Sequence, residues 1–287
     1  MERFLDDDGV AISFRAWPLE RPRAVVQIAH GVGEHSGRYA ALASDLNAAG
    51  YAAYADDHRG HGTTGMEQWH GDARMLGRLG PGGLRGAERS VHAFSGVVRR
   101  RHPDAPLVLL GHSWGSFISQ RLLDRHPEEY RGVVLSGSAY LMPGYLAAGD
   151  LNARFAGRGR VARAAATGAE WLSRDPTVAA AFVADPLTTL TPLQKLFGLR
   201  ETLRMLRRPA AGIHPDVPVL LQVGGDDPVG GERSVRRLAR AYRERSGLSD
   251  VTVRIYPGAR HEIYNETNRG EVIADLVAWL DRLSSVA

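Results

Sequence analysis

Residues 107–115, Leu-Val-Leu-Leu-Gly-His-Ser-Trp-Gly, constrain the fold of this chain more than any other segment. Four apolar residues, Leu107 to Leu110, predict a short buried strand. They run into Gly111-His112-Ser113-Trp114-Gly115, a Gly-x-Ser-x-Gly pattern. Residues 116–126 follow, where Phe117, Ile118, Leu122 and Leu123 recur at helical spacing until Pro127 stops the run. A serine on such a sharp strand-to-helix turn is held in strained backbone geometry. The neighbouring chain can pass that close only where Cβ atoms are missing, which accounts for the glycines two positions to either side. The hydroxyl is then held clear of the sheet at the amino end of a helix, where the dipole favours negative charge.

The rest of the chain alternates in the same way. Residues 2–5 and 10–17 predict a hairpin around Asp-Asp-Asp-Gly. Further strands are expected at 24–30, 51–56, 132–136, 217–223 and 251–256, and helices at 38–49, 84–101, 232–245 and 270–283. Strands alternating with helices give an α/β chain with a mostly parallel sheet covered on both faces, the hairpin supplying an antiparallel edge. Residues 139–208 break the rhythm. Apolar helical pieces there are interrupted by Pro143, Pro176, Pro186 and Pro192, and the segment is too long for a structureless loop. A helical cap inserted over the carboxyl edge of the sheet is expected there, with residues 1–138 and 209–287 forming the core.

Composition narrows the function classes. The chain has 287 residues, 44% of them apolar, enough for one large domain with a substantial core. No cysteine is present, which removes disulfides, thiolate catalysis and cysteine zinc sites together. An acidic amino terminus without an apolar stretch gives no sign of a signal peptide, and no run approaches the length of a membrane-spanning helix. A cytoplasmic protein is expected. The net charge of +4 is carried by arginine, Lys195 being the single lysine. Clusters at 99–101, 207–208 and 236–237 have acidic neighbours and read as solvated helix surface, and no basic stripe with stacking aromatics suggests nucleic acid. At most, weak contact with anionic membrane surfaces is expected. The sequence leaves the oligomeric state open.

A neutral serine hydroxyl is a poor nucleophile, so Ser113 needs a base, and the base an orienting acid. With a serine elbow on such a sheet the chain order is Ser, then Asp or Glu, then His, with acid and base on loops leaving late strands. Of eleven histidines, only His261 lies beyond the strand at 217–223 and the turn Gly224-Gly225-Asp226-Asp227-Pro228. Asp227 is the expected acid and Asp226 the alternative, read as a turn former. Oxyanion donors are expected from the backbone N–H of Trp114 and from the glycine loop His30-Gly31-Val32-Gly33-Glu34-His35, with Val32 as the donor. The His58-Arg59-Gly60-His61-Gly62 turn and the His30/His35 pair lack metal-ligand spacing, so neither metal nor organic cofactor is expected.

Five blocks together resemble the monoacylglycerol lipase and lysophospholipase-like branch of the α/β-hydrolases, which includes serine aminopeptidase-like members. They are residues 30–39 (HGVGEHSGRY), 57–62 (DHRGHG), 111–115 (GHSWG), 224–229 (GGDDPV) and 261–266 (HEIYNE). The resemblance spans nearly the whole chain. It implies the α/β-hydrolase fold with an eight-stranded sheet, a helical cap and an apolar acyl pocket. It also implies a serine ester hydrolase with Ser113 as nucleophile, Asp227 as acid, His261 as base, and Val32 and Trp114 as oxyanion donors. Gly31, Tyr140, Met142 and Phe182 are the candidates for touching substrate. Many members of the branch carry Met after the nucleophile where this chain has Trp114, a bulkier ring that narrows an acyl pocket. The same triad could serve a small-acyl esterase, a thioesterase or an acyltransferase. An aminopeptidase would want an acidic clamp in the cap, where Asp175 and Asp185 have capping or turn explanations. A non-catalytic binding module is the dissimilar alternative.

Overall fold

The computed structural model describes residues 1–146, 149–157 and 164–284. Among these lie eight strands: β1 (Glu2–Leu5), β2 (Ala11–Trp17), β3 (Val25–Ala29), β4 (Ala52–Asp56), β5 (Leu107–His112), β6 (Gly132–Ser136), β7 (Val219–Gly224) and β8 (Val251–Tyr256). They form one sheet in the order β1-β2-β4-β3-β5-β6-β7-β8. The β1–β2 and β2–β4 pairings are antiparallel and the rest parallel, so the opening hairpin is the antiparallel edge, as expected.

Alternation within the central strands builds two cores. Val25, Leu107, Leu109, Val133, Leu135 and Leu221 face one way, against α3 (Gly83–Arg101), α4 (Trp114–Arg125) and α7 (Gly231–Glu244). Val26, Ile28, Val108, Leu110, Val134 and Leu220 face the other way, against α1 (Ala40–Ala48) and α8 (Arg269–Ser284). Near-continuous apolar strands are what a sheet covered on both faces requires. From β3 the chain passes to β4 on one side and then crosses to β5 on the other. The crevice where strand order reverses, beyond the carboxyl ends of β3 and β5, is where open α/β sheets bind ligands.

Several elements differ from the sequence expectations. The strand expected from Val217 starts at Val219, because Pro218 has no N–H to donate to a ladder. The helix expected at 38–49 opens with a separate tight turn, Ser36–Tyr39, before α1 begins. An unexpected helix, α2 (Gly62–Gln68), has Gly62, Thr63, Thr64 and Gly65 in its first turn, all weak helix formers. Its end is satisfied from a distance, since Asp57 Oδ2 accepts the Thr63 N–H at 2.7 Å. Between β6 and β7 no strand occurs among the described residues. Helices α5 (Pro176–Ala184) and α6 (Leu193–Met205) lie there, while residues 147–148 and 158–163 of the expected cap fall outside the described residues.

Candidate active site

Strand β5 delivers the chain to Ser113, whose φ of 52° and ψ of −123° lie where non-glycine residues pay on the order of 1–3 kcal/mol. The turn is pinned by the Ser113 N–H, which donates to the Ser136 carbonyl at 2.9 Å, and by Ser116 Oγ, which donates to the Ser113 carbonyl at 2.6 Å. The flanking glycines are there for close approach. A Cβ on Gly115 would stand 2.1 Å from the Ala29 oxygen and 2.4 Å from that of His30, and one on Gly111 would stand 2.5 Å from the Gly115 oxygen. Backbone cannot yield as a flexible side chain does. Gly115→Ala should therefore cost about 3 kcal/mol in denaturant unfolding. A loss under about 0.5 kcal/mol, the range of neutral surface changes, would show that α4 and β3 separate without penalty.

The two late loops converge on this elbow. After β7, Asp227 turns inward and its Oδ1 accepts from His261 Nδ1 at 2.9 Å and from the Val229 N–H at 2.8 Å. Asp226 turns outward to Arg154, at 2.7 Å. The His261 ring is fully buried, and its centroid lies 4.6 Å from that of His112, the residue before Ser113. A carboxylate can only accept, so His261 Nδ1 is the donor and Nε2 is left with its lone pair. That Nε2 is buried and has no hydrogen-bond partner among the described residues. Burial works against protonation of His261, but the Asp227 carboxylate outweighs it and holds the imidazole above its ordinary pKa. His112 has no such partner. Burial, reinforced by His261, pushes it down to about 4 and keeps it neutral.

The glycine loop after β3 forms the opposite side. A Cβ on Gly31 would lie 3.1 Å from Ser113 Cβ, which sets this loop directly against the elbow. Neither the Val32 nor the Trp114 N–H donates a hydrogen bond among the described residues. Glu34 holds the loop in shape. Its Oε1 accepts the Gly31 N–H at 2.6 Å and the Tyr39 hydroxyl at 2.8 Å. Arg38 then bridges Glu34 at 2.7 Å and Glu262 at 2.6 and 2.8 Å. Burial would raise Glu262, but the charge of Arg38 overrides it and holds the carboxyl at about 2. The glycine loop and the His261 loop are thus joined through one buried guanidinium. Glu34, Arg38 and Glu262 belong to the quoted sequence blocks, but local pattern assigns them no role. Their mark in the sequence is charge inside glycine-rich, otherwise apolar stretches.

Trp114 is almost fully buried. His61 stacks on its indole at 5.2 Å, the His58 ring meets it edge-on at 5.5 Å, and Phe197 of α6 packs at 5.1 Å. The histidines of the glycine turns are engaged in structure: His58 Nδ1 pairs with Asp56 at 2.7 Å and His61 Nδ1 with the Arg59 carbonyl at 2.9 Å. Burial depresses His61 to about 3. A narrow, mostly apolar crevice runs beside Trp114, lined by Leu84, Phe117, Ile118, Leu141 and Met205, with Glu88 and Arg121 at its polar side.

The remaining substrate candidates are more dispersed. Tyr140 packs into the core, its N–H bonded to Ser234 Oγ at 2.8 Å, and Met142 lies half-buried on the same core. Phe182 packs with Ala169, Leu172 and Ala179, with the Arg38 guanidinium 4.7 Å from its ring. Trp171, not among the candidates, is closer to the chemistry, its ring 4.9 Å from that of His261. The segment that carries it is tied to both the Val32 loop and the His261 loop. The Glu262 N–H donates to the Leu172 carbonyl at 2.7 Å, the Thr189 N–H donates to the Gly33 carbonyl at 2.8 Å, and His35 pairs with Asp185 at 2.8 Å.

A family model described as serine aminopeptidase, S33, matches residues 20–268. This chain belongs to that family. The S33-family chain is 34% identical over 290 residues to a monoacylglycerol lipase of Mycolicibacterium smegmatis, covering 95% of this chain and 93% of the relative. It is 27% identical to the human monoglyceride lipase, covering 100% of this chain and 92% of that one. Among solved structures it resembles a thermostable carboxyl esterase from Bacillus coagulans, with a TM-score of 0.82, 25% identity, and coverage of 99% and 98%. The S33-family chain is accordingly a hydrolase with the α/β-hydrolase fold, and its relatives are esterases and lipases.

Proposed function

We propose that the chain is a serine ester hydrolase acting on monoacylglycerol- or lysophospholipid-like esters through an acyl-enzyme. The observation that carries this reading is the buried Asp227–His261 pair, with Nε2 left unpartnered beside the Ser113 elbow. His261 Nε2 takes the Ser113 proton as Oγ attacks the ester carbonyl. The Val32 and Trp114 N–H groups hold the oxyanion, each such donor contributing about 3 kcal/mol to lowering the barrier. Asp227, hydrogen-bonded to Nδ1, holds the imidazolium in place. The alcohol leaves with the proton from His261, and water repeats the sequence on the acyl-enzyme. No step calls for a metal or an organic cofactor. Residues 139–208 act as the cap, and the partner is a small ester with an apolar acyl chain. A cytoplasmic setting goes with this reading, since a chain without cysteine needs no oxidising compartment.

Peptidase chemistry has less support. Asp175 caps α5 through the Thr177 N–H at 2.9 Å, and Asp185 is engaged by His35, so both acidic residues weighed as an amine clamp are already occupied. One observation favours a second reading, a small-acyl esterase: Trp114, packed under Phe197, is a wall of the narrow crevice beside it and takes up room that a smaller side chain would leave for an acyl chain. Hydrolysis of monoacylglycerols of rising acyl length, beside a short aryl ester, separates the two. Turnover that rises with chain length supports the lipase reading. Turnover confined to the short ester keeps the triad and overturns the lipid substrate.

A further inference from the structure

We propose that His92, His126 and Glu129 form a binding site for a divalent transition-metal ion of the zinc class. His92 lies in the middle of α3, while His126 and Glu129 flank the turn that follows α4. The three come together across a separation of 37 residues. One donor atom from each lies within 4.8 Å of the others, His92 Nε2 being 2.9 Å and His126 Nδ1 3.9 Å from Glu129 Oε1. Three ligands bound at about 2.0–2.1 Å to a tetrahedral ion stand roughly 3.3 Å apart, so the observed spacings bracket what a zinc ion requires. Two imidazoles and a carboxylate also suit this ion class, and they leave a coordination position for water.

The surroundings hold the donors in place. Pro127 opens the short turn of residues 127–129, which fixes His126 and Glu129 three residues apart on one side. In the ion-free structure the imidazoles stack, with centroids 3.9 Å apart and planes 13° from parallel, and binding requires them to turn out of that stack until both in-plane lone pairs meet at the ion. Glu129 Oε2 is taken by Arg99, which orients the carboxylate so that Oε1 faces the rings. In the metal-free protein a proton occupies the His92 Nε2–Glu129 Oε1 contact, and the ion takes its place. The site sits at the far end of α4 from Ser113, about 18 Å away for a 12-residue helix. Its effect is therefore to clasp α3 to the α4–β6 connection, apart from the reaction.

The test uses tag-free, chelator-treated full chain, titrated with zinc chloride by calorimetry and with cobalt chloride by visible absorption. The expected result is one equivalent of zinc and the d–d bands of tetrahedral cobalt. Affinity should fall at least tenfold in Glu129→Gln and the bands should vanish in the double variant His92→Gln/His126→Asn, with short-ester hydrolysis by the metal-free variants unchanged. If the double variant does not fold, Glu129→Gln decides alone. Equal zinc affinity and stoichiometry in wild type and variants would overturn the proposal, placing the ion on other histidines. So would no uptake by wild type at up to about 1 mM zinc, an affinity too weak for three protein ligands.

Discussion

Ser113→Ala will fold with wild-type stability and lose roughly 10⁵–10⁶-fold in ester turnover, the scale on which removal of a triad serine acts elsewhere. The fold should survive, because the elbow is held by the Ser113 N–H and carbonyl, by Gly115 packed on β3, and by Ser116, none of which uses the Ser113 hydroxyl. The activity should not, because in the proposed mechanism the Ser113 hydroxyl is the group that takes up the acyl chain. Thermal unfolding followed by circular dichroism, beside single-turnover ester hydrolysis and labelling with a fluorophosphonate, reads both halves. A variant that keeps a tenth of the activity would remove Ser113 from the mechanism. An inert wild-type Ser113 would favour a binding module.

The second large effect belongs to the acid. Asp227→Asn should lower kcat by about 10⁴-fold, the loss seen when a triad aspartate no longer fixes its imidazole. It should also move the pH profile in a defined direction. His261 must be neutral to act as base. In the wild type Asp227 raises its pKa, so kcat/KM climbs with pH through a value above the ordinary imidazole pKa. Without that charge burial dominates, the pKa falls, and the acid limb moves to lower pH. Asp226→Asn is the control. Its carboxylate pairs with Arg154 at the surface, and its loss should leave rate and profile within about twofold. Equal losses in the two variants would mean that the loop, rather than the Asp227 carboxylate, matters.

Much of this geometry is readable from local pattern, and what is not has a common cause. The elbow is local, a strand, a turn and a helix within twenty residues, so periodicity and glycine placement mark it. The two-faced sheet is legible for the same reason. Helix α2 is not, because its first turn is stabilised by Asp57 rather than by its own residues. The cap contacts are less legible still. Trp171 reaches His261 across ninety residues of sequence, a distance over which proline breaks mark where helices end but not what they touch. The Arg38–Glu262 pairing, 224 residues apart, and the His92–Glu129 pairing need the folded sheet before either exists. Tyr140, a substrate candidate among the apolar residues of segment 139–208, packs into the core, and apolar character alone does not separate the two roles.

Two hydrogen bonds tie the segment between β6 and β7 to the loops that carry Val32 and His261. The Gly33 carbonyl that receives Thr189 is the neighbour of the Val32 N–H, and the N–H that Leu172 receives belongs to the residue after His261. A displacement of this segment would break both hydrogen bonds and release the backbone beside Val32 and beside His261 together. The loops that carry Val32 and His261 are therefore not independent of each other: whatever disturbs the segment between β6 and β7 disturbs both.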